Sequence, residues 1–349
     1  MEGEKFDPGF GKVIEWDIPL LEGYSFTFVP NNSNKPGTRS FNGIKNPGLI
    51  KAVSFYAPDA VLVNGWNFNS HLKVIFFFHK KIPVLFRGDS TLLDKKGFLN
   101  RLLKPIVLKQ IFKKIDYALY VGEENKKYFI AHGLKVNQLV FVPHAIDNNR
   151  FAHGSTDNDK LEKLRNKYGI AKNKFVFLFA GKLETKKDPA LLINTFKMLN
   201  LPGAVLLIAG NGVLEKTLKE TCLDWPDIIF IDFQNQTIMP LIYGLSDVFV
   251  LPSKGPGETW GLAVNEAMAC GKPVIVSNKC GCAPNLVRQG ENGFIFPAGN
   301  KEALALAMKN IFDKRQESKN MGMRSAELIK DYSFDHIVTA VENTIEISK

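Results

Sequence analysis

The chain has 349 residues, of which 45% are apolar and 23% are charged, and its formal net charge is +10. At roughly 150 residues per domain this length predicts about two globular domains, and the composition excludes a disordered or fibrous protein. The longest apolar stretches are far shorter than the roughly 18 residues that span a bilayer, and Met1–Phe10 lacks the apolar segment of a secretory signal. We therefore expect a cytoplasmic protein.

The positive charge is concentrated in the first half of the chain. Asn31–Ile115 carries fifteen Lys or Arg residues against three acidic ones, so we expect an acidic partner there. No helix-turn-helix spacing, zinc finger or RNP-like aromatic pattern accompanies this charge, which argues against nucleic acid as the partner. An anionic membrane surface fits better, although nucleic-acid binding stays open as an alternative.

Five runs in the first half have the composition of strands. They are Ser25–Val29, Ala60–Val63, Pro83–Phe86, Tyr117–Val121 and Leu139–Val142. Arg87 and Asp89 directly follow the third run, and ligands of open parallel sheets bind at the carboxyl ends of strands. Arg87 could hold a phosphate or a developing negative charge, while Asp89 could orient it or accept a proton.

The segment Lys95–Lys114 places apolar side chains among basic ones, as a helix lying on an anionic membrane would. Pro105 argues against one straight helix, so two shorter pieces are expected. An ordinary helix with an apolar face toward the core and a basic face toward solvent explains the pattern equally well, and both interpretations stay open. The polar stretch Asn148–Asn173 is expected to hold the linker between the halves and one helix.

The second half repeats a pattern of apolar run, turn and helix. The runs are Phe175–Ala180, Val205–Ala209, Ile228–Ile231, Val248–Leu251 and Val274–Ser277. Continuous rather than alternating apolar strands are typical of a parallel sheet covered on both faces, so a doubly wound α/β domain is predicted. The first half repeats the theme less completely, and two such domains facing one another would enclose a cleft.

Lys182 and Lys187 lie in the loop after the first of these runs. Two lysines ahead of a helix start can converge on one anion such as a diphosphate, helped by backbone amides. A solvated run of surface charge is the alternative. Gly210-Asn211-Gly212 follows the second run but does not complete a dinucleotide fingerprint, because Glu215 occupies the position of the third glycine.

A helix is predicted over Thr259–Cys270, and because nearly all its residues are apolar or small it should be largely buried. The Glu266 carboxylate on it then needs water, a cation or hydrogen-bond donors, for which ligand hydroxyls are candidates. Glu258 would lie about 12 Å away along the helix. That separation exceeds the distance between the two catalytic carboxylates of a glycosidase. It suits two carboxylates that bind opposite ends of one elongated ligand. The alternative is that Glu258 offsets the helix dipole at the N-terminus and that Glu266 lies on a narrow solvent-exposed side of the helix.

Taken together, these residues resemble a known family. Glu258-Thr-Trp-Gly-Leu-Ala-Val-Asn-Glu266, followed by AMACGKPVIVS, is similar to the EX7E region of the retaining glycosyltransferases of family 4, which have the GT-B fold. Further motifs resemble the same family in the same order: GKLETKK at 181–187, Ala209-Gly-Asn-Gly212, the stretch from Met239 to Ser253, and Asn292-Gly-Phe. The similarity covers nearly all of residues 174–300.

The resemblance implies roles for individual residues. Glu266 would bind the ribose hydroxyls of the donor, Glu258 the transferred sugar, and the two lysines the diphosphate. The donor-binding residues implied in this way are Glu266, Gly181, Gly212, Phe233, Gln234, Thr259, Trp260, Gly261 and Leu262. The catalytic residues implied in this way are Glu258, Lys182 and Lys187. Arg87 and Asp89 are predicted as catalytic from their place after the third run of the first half. The donor would be a UDP- or GDP-sugar, and no metal or further cofactor is implied.

The first half resembles the family less well. Many members have a histidine where this chain has Arg87. Members also begin with a strand, a glycine-rich loop and a helix, whereas Gly9-Phe10-Gly11 follows no predicted strand. We therefore expect an incomplete amino-terminal domain over 1–165, a nucleotide-sugar domain over 166–330, and a helix in 331–349 that returns to the amino-terminal domain.

The sequence thus predicts an α/β protein of the GT-B class, with two Rossmann-like domains. It would move a sugar from a UDP- or GDP-sugar to a glycan or lipid-linked acceptor, with retention of configuration, in cell-surface polysaccharide or glycolipid synthesis. The protein would be cytoplasmic or peripheral at the inner membrane face. A non-catalytic or truncated sugar-nucleotide-binding protein and an epimerase acting on the donor alone stay open as alternatives.

Overall fold

The computed structural model describes residues 5–7, 9–94 and 98–348. They pack into two compact units. The first unit comprises Met1–Glu22 and His144–Phe334, and the second comprises Gly23–Pro143 and Asp335–Lys349. The boundaries between these units differ from the domain boundaries predicted above. The predicted domain boundaries stay a prediction.

Strands and helices alternate along most of the described chain. The strands are β1 (Lys5–Asp7), β2 (Lys12–Ile14), β3 (Val61–Asn64), β4 (Val84–Arg87), β5 (Tyr117–Tyr120), β6 (Leu139–Phe141), β7 (Phe175–Ala180), β8 (Ala204–Ala209), β9 (Ile228–Ile231), β10 (Val248–Leu251), β11 (Val274–Ser277) and β12 (Gly293–Phe296). The α-helices are α1 (Leu49–Phe55), α2 (Asn69–Phe78), α3 (Phe98–Phe112), α4 (Glu123–Ala131), α5 (Asn148–Gly154), α6 (Asn158–Lys167), α7 (Pro189–Leu199), α8 (Glu215–Glu220), α9 (Met239–Gly244), α10 (Leu262–Ala269), α11 (Ala283–Leu286), α12 (Lys301–Asp313), α13 (Ser318–Leu328) and α14 (Phe334–Ser348). Short 3₁₀ helices cover Phe41–Gly43, Val136–Gln138 and Ile329–Asp331.

The first unit is built on a six-stranded parallel sheet with the strand order β12-β11-β10-β7-β8-β9. Every residue of β7 and β8 is buried, as expected for central strands covered on both faces. The two strands pair in register up to Ala180 and Ala209, so their following loops begin side by side. A Cβ on Gly210 would come within 2.1 Å of the carbonyl oxygen of Gly181. This close backbone approach requires glycine at position 210.

The second unit is built on a four-stranded parallel sheet with the order β3-β4-β5-β6. Alternate residues of β4 face opposite sides of this sheet. Val84 and Phe86 belong to a core shared with α2, α3 and α4, while Leu85 packs with Ile337 and Val341 of α14. Both faces are therefore covered by helices.

Most strands predicted from the sequence are confirmed to within one residue at each end. The predicted strand Ser25–Val29 is wrong, since these residues have no regular secondary structure and belong to no sheet of the described chain. The side-chain amide of Asn46 donates to the carbonyl oxygens of Val29 and Pro30 at 2.8 and 3.0 Å. A side chain thus binds backbone groups that an adjacent strand would otherwise pair.

The expectation that no strand precedes Gly9-Phe10-Gly11 is also wrong. Gly9-Phe10-Gly11 follows the strand β1 and connects it to β2 in a two-stranded antiparallel hairpin. The carboxylate of Asp7 accepts hydrogen bonds from the amides of Gly9 (2.7 Å) and Phe10 (3.2 Å). These local bonds form the turn. The hairpin is too short to show periodicity, which explains why the sequence pattern did not predict it.

Two helical predictions in the first unit need correction. The helix predicted over Thr259–Cys270 is the shorter α10, because Gly261 has a left-handed φ of 107° that separates the preceding loop from the helix. Glu258 is therefore not helical, and the helix-based spacing of the two glutamates does not apply. The polar stretch Asn148–Asn173 holds two helices rather than one, and Asp157 caps the second by accepting from the amide of Lys160.

The basic segment forms a single helix, α3, with Pro105 inside it, so the expectation of two shorter pieces is wrong. Lys95, Lys96 and Gly97, which begin the predicted membrane segment, lie outside the described residues. Leu108, Ile111 and Phe112 are buried in the core, so the core-facing interpretation holds for this end of the helix. Leu103, Ile106 and Val107 are exposed, which leaves an apolar side for a second contact.

Candidate functional site

A cavity of about 420 Å³ opens in the first unit where β7, β8 and β9 end. Seven of the predicted site residues line it: Gly181, Lys182, Lys187, Phe233, Gln234, Leu262 and Glu266. It is also lined by Phe10, Trp16, Ala180, Glu184, Lys186, Ala209, Gly210, Gln236, Met239, Tyr243 and Ala263. Parallel strands concentrate ligand-binding loops at their carboxyl ends, which explains why residues distant in sequence meet here.

Lys182 is paired with the amino-terminal hairpin. Its ammonium group donates to both carboxylate oxygens of Asp7, at 2.9 and 3.0 Å. Partial burial tends to raise the pKa of Asp7, but the hydrogen bonds from Lys182 and from the amides of Gly9 and Phe10 outweigh it and lower the pKa below its ordinary value. Asp7 is therefore an anion in direct contact with a predicted phosphate-binding lysine.

Lys187 is paired with Glu258. The ammonium nitrogen lies 2.6 Å from Oε2 of Glu258, which also accepts from the Ser253 hydroxyl at 3.0 Å. Glu258 is buried, while Lys187 reaches the cavity. A buried carboxylate needs such compensation, and here it fixes the position of a cation that faces the cavity.

Glu266 projects from α10 into the same cavity, where the buried Tyr243 hydroxyl donates to its Oε2 at 2.7 Å. Burial raises the pKa of Glu266 to about 7, although the hydrogen bond from Tyr243 and the positive charges of Arg150 and Lys187 oppose this rise. Burial likewise raises the pKa of Tyr243. The carboxyl group is thus only partly compensated by the protein and can accept further hydrogen bonds.

Hydrogen bonds from the buried Asn211 stabilise the loop after β9. Asn211 accepts from the amide of Phe233 at 2.7 Å, and its own amide donates to Asp232 at 2.8 Å and Glu215 at 2.9 Å. Glu215, which breaks the dinucleotide fingerprint, therefore supports this loop. Gly212 lies outside the cavity, against the backbone of Leu183, where a Cβ would meet the carbonyl oxygen at 2.5 Å.

Three predicted donor-binding residues lie before α10 and do not line the cavity. They are Thr259, Trp260 and Gly261. Trp260 is buried and its indole donates to Asn265 at 2.8 Å, while the Asn265 amide donates to the carbonyl of His144 at 3.0 Å. These side-chain bonds support the loop, so a ligand contact from Trp260 would come from its backbone atoms.

Arg87 and Asp89 belong to the second unit. The guanidinium of Arg87 donates to the carbonyl oxygens of Val142 (3.0 Å) and Pro143 (2.9 Å), and so ties the end of β4 to the chain beyond β6. Asp89 lines a separate cavity of about 290 Å³, together with Trp66, Lys104 and Tyr128 among others. The structure therefore groups Asp89, and not Arg87, with a cavity of this unit.

Sequence patterns did not indicate several of the cavity residues. Tyr243 lies inside the recognised stretch from Met239 to Ser253, but its contact with Glu266 depends on packing between α9 and α10. Arg150 donates to the backbone and side chain of Gln236, which lines the cavity. These partners are separated by tens of residues, and no local spacing signals them.

The described ranges hold neither a metal-binding cluster nor a membrane-spanning helix. In 5–7, 9–94 and 98–348, no group of three or more His, Cys, Asp or Glu side chains is arranged to hold a metal ion. Nor does any helix in those ranges have the length and apolar character needed to cross a bilayer. The four cysteines are buried and unbonded to one another.

Comparisons with known proteins give a consistent result. Residues 160–327 match the family model described as Glycosyl transferases group 1. Over 276 residues the chain is 24% identical to a sulfoquinovosyl transferase of Arabidopsis thaliana, a match that covers 77% of this chain and 51% of that protein. Over 188 residues it is 32% identical to a UDP-Gal:alpha-D-GlcNAc-diphosphoundecaprenol alpha-1,3-galactosyltransferase of Escherichia coli, covering 51% and 46%. The chain thus spans about half the length of these curated relatives.

A solved structure extends the likeness to the fold. The Anabaena protein HepE in complex with UDP has a TM-score of 0.71 and 20% identity, over 86% of this chain and 82% of that one. At such low identity the likeness informs on fold rather than activity. The chain therefore has the GT-B fold, and its residues 160–327 match the glycosyl transferases of group 1.

Proposed function

We propose that this protein is a retaining glycosyltransferase whose donor, a UDP- or GDP-sugar, binds in the cavity of the first unit. The observation that carries the proposal is that Lys182, Lys187 and Glu266 line one cavity at the ends of adjacent parallel strands. Two cations suit a diphosphate and a carboxylate suits ribose hydroxyls. The relative named for UDP-Gal and the neighbour solved with UDP support this choice of donor.

The cations would act on the leaving group. As the bond between the sugar C1 and the diphosphate oxygen breaks, negative charge develops on the diphosphate, which Lys182 and Lys187 would stabilise. The acceptor hydroxyl would bond to C1 on the face that the diphosphate leaves and pass its proton to the departing phosphate oxygen. Glu258 holds Lys187 at 2.6 Å. We assign it to orienting this cation and to binding the transferred sugar.

We further propose a glycan or lipid-linked acceptor reached at an anionic membrane surface. Leu103, Ile106 and Val107 are exposed on α3 of the second unit, and the exposed Lys109 lies on the same helix, as in a helix that rests on a membrane. The relative named for a diphosphoundecaprenol acceptor supports a lipid-linked substrate. The same argument favours a location at the inner membrane face.

Calorimetry with UDP, GDP and their sugars tests the donor site directly. We expect the unaltered chain to bind one of these nucleotides, and Glu266→Ala to weaken that binding by about 1.5 to 3 kcal/mol, the value of a charged hydrogen bond. This corresponds to roughly a ten- to hundredfold rise in Kd. Glu302→Ala, at an exposed site on α12, is the control and should leave Kd unchanged.

The possible outcomes separate the alternatives. Nucleotide binding without transfer to any acceptor would favour a non-catalytic binding protein. Deuterium uptake into the donor sugar in heavy water, without transfer, would indicate an epimerase. Equal Kd values for the unaltered chain and Glu266→Ala would contradict the role assigned to Glu266.

A further inference from the structure

The hairpin strands and the residues that follow them are attached to the rim of the cavity at each end, through Asp7 and through Asp17. At one end Asp7 pairs with Lys182, and Gly9 lies so near that a Cβ there would meet the Lys182 side chain at 2.6 Å. At the other end the Asp17 carboxylate accepts from the amide and hydroxyl of Thr237, just before α9. The hairpin and the three residues after it therefore extend from the β7 loop to the β9 loop.

Between these two attachments the segment turns aromatic rings toward the β9 loop. The ring centroids of Phe10 and Phe233 are 4.7 Å apart and those of Trp16 and Phe233 are 6.2 Å apart, both edge to face. All three side chains line the 420 Å³ cavity. We call Phe10, Trp16 and Phe233 the aromatic wall.

Contacts within the protein bury only part of the aromatic wall. Trp16 keeps 45% of its surface exposed, and Phe10 and Phe233 are half-buried. Aromatic faces of this kind are costly to leave in water and bind flat ring systems well. Each purine or pyrimidine has such a face, and stacking on an aromatic side chain is a general way to hold a base.

Charge and aromatic surface are arranged together in this cavity. The Lys182 ammonium lies 4.9 Å from the centroid of the Phe10 ring, so the phosphate-binding cation borders the wall directly. Glu266 and Lys187 line the same cavity. One cavity thus offers cations, a carboxylate and aromatic rings, the three kinds of partner that diphosphate, ribose and base require.

We propose that Phe10 and Trp16 of the amino-terminal segment bind the nucleobase of the donor, with Phe233 as the third side of the aromatic wall. The inference rests on the proposed function, since it names further residues of the same donor site. Stacking on a wall of this kind tolerates any base. The choice between bases then depends on the polar groups beside it, Gln234 and Gln236.

The test compares a ligand that has a base with one that does not. Kd values are measured by calorimetry for the preferred nucleoside diphosphate and for inorganic pyrophosphate, using the full chain and the variants Phe10→Ala and Trp16→Ala. We expect each variant to weaken nucleotide binding by roughly five- to hundredfold, the loss of one stacking partner. Pyrophosphate binding should change by less than about twofold, since it has no ring to stack.

Phe6→Ala provides the matched control. Phe6 is in the same hairpin and 59% exposed, but it does not line the cavity. It should leave both Kd values unchanged. Phe10→Tyr and Trp16→Phe retain a flat ring and should restore most of the nucleotide affinity.

Two results would overturn the inference alone: nucleotide binding that survives both alanine substitutions, or an equal loss for nucleotide and pyrophosphate. The second would mean that the rings only pack the hairpin onto the unit. Failure of the unaltered chain to bind any nucleotide would instead remove the proposed function, and this inference with it. The two failures are therefore distinguishable.

Discussion

Glu266 and Lys187 show how the site depends on individual side chains. Each is predicted from the sequence by its place in a loop or helix after a buried strand, and both line one cavity in the structure. Their partners, Tyr243 and Glu258, hold the two side chains in position. Asp7 is the unexpected participant, because it pairs with Lys182 from 175 positions earlier in the chain.

The raised pKa of Glu266 makes stability depend on pH. The folded-state pKa is about 7, against 4.5 for an ordinary glutamate, so between these values the folded protein keeps a proton that the unfolded chain releases. The free energy of unfolding contributed by this group therefore falls as pH rises from about 4.5 to about 7. The slope is at most about 1.4 kcal/mol per pH unit.

Urea denaturation of the unaltered chain and of Glu266→Gln at pH 5, 6 and 7 measures this contribution. The stability difference should shift in favour of the glutamine variant as pH rises, because an amide has no proton to lose. Glu342→Gln, at an exposed position on α14, controls for the loss of a surface carboxylate. A difference between Glu266→Gln and the unaltered chain that stays constant over this range would contradict the assignment.

The loop that carries Glu258 is positioned by a neighbouring glycine loop. The amide of Gly281 donates to the carbonyl of Glu258 at 3.1 Å, and that of Cys282 donates to Trp260 at 3.1 Å. A Cβ on Gly281 would lie 1.8 Å from the carbonyl oxygen of Thr259. Backbone must shift to accommodate any side chain there, because a carbonyl cannot rotate away as a side chain can.

We therefore expect Gly281→Ala to destabilise the protein by about 1 to 3 kcal/mol, as overpacking usually does. The variant should also weaken nucleotide binding. Thermal unfolding and calorimetry check both effects. Gly48→Ala is the control, since the nearest atom to its Cβ would be 3.9 Å away. If Gly281→Ala unfolded at the same temperature as the unaltered chain, the backbone of the loop would have to shift more easily than its contacts indicate.

The net charge of +10 belongs to the protein as a whole, but fifteen of its Lys and Arg residues lie in Asn31–Ile115. This region lies within the second unit, which also carries the exposed apolar side of α3. Basic and apolar groups on one helix together favour an anionic bilayer surface. The charge term is weakened by salt, whereas the apolar term is not.

Sedimentation with vesicles rich in phosphatidylglycerol tests this surface. We expect binding that falls steeply between about 0.05 and 0.5 M salt, and a several-fold loss for Ile106→Glu, whose side chain is 62% exposed. Val136→Glu, 66% exposed on the same unit but outside α3, should bind nearly as the unaltered chain does. Equal losses for the two variants, or no binding at low salt, would contradict a membrane contact through α3.

Local sequence was sufficient to predict most strands, the α/β class and the loops that bear the site. Buried parallel strands such as β7 and β8 are continuous apolar runs, and the residues after them must lie at one edge of the sheet. The common role of Lys182, Lys187 and Glu266 was predicted from the resemblance to the glycosyltransferase family, because local spacing alone left other interpretations open. The span of α10 was not predictable to the residue, because its start depends on the left-handed conformation of Gly261.

Contacts between distant segments were decided only by the tertiary structure. No local signal in the sequence indicates that Asp7 pairs with Lys182 or that Phe10 and Trp16 pack on Phe233. The same is true of the hydrogen bonds that Arg87 donates to two carbonyl groups. Periodicity reports which face of an element is buried, since burial repeats with the backbone. It does not report which other segment covers that face, because this depends on the packing of the entire chain.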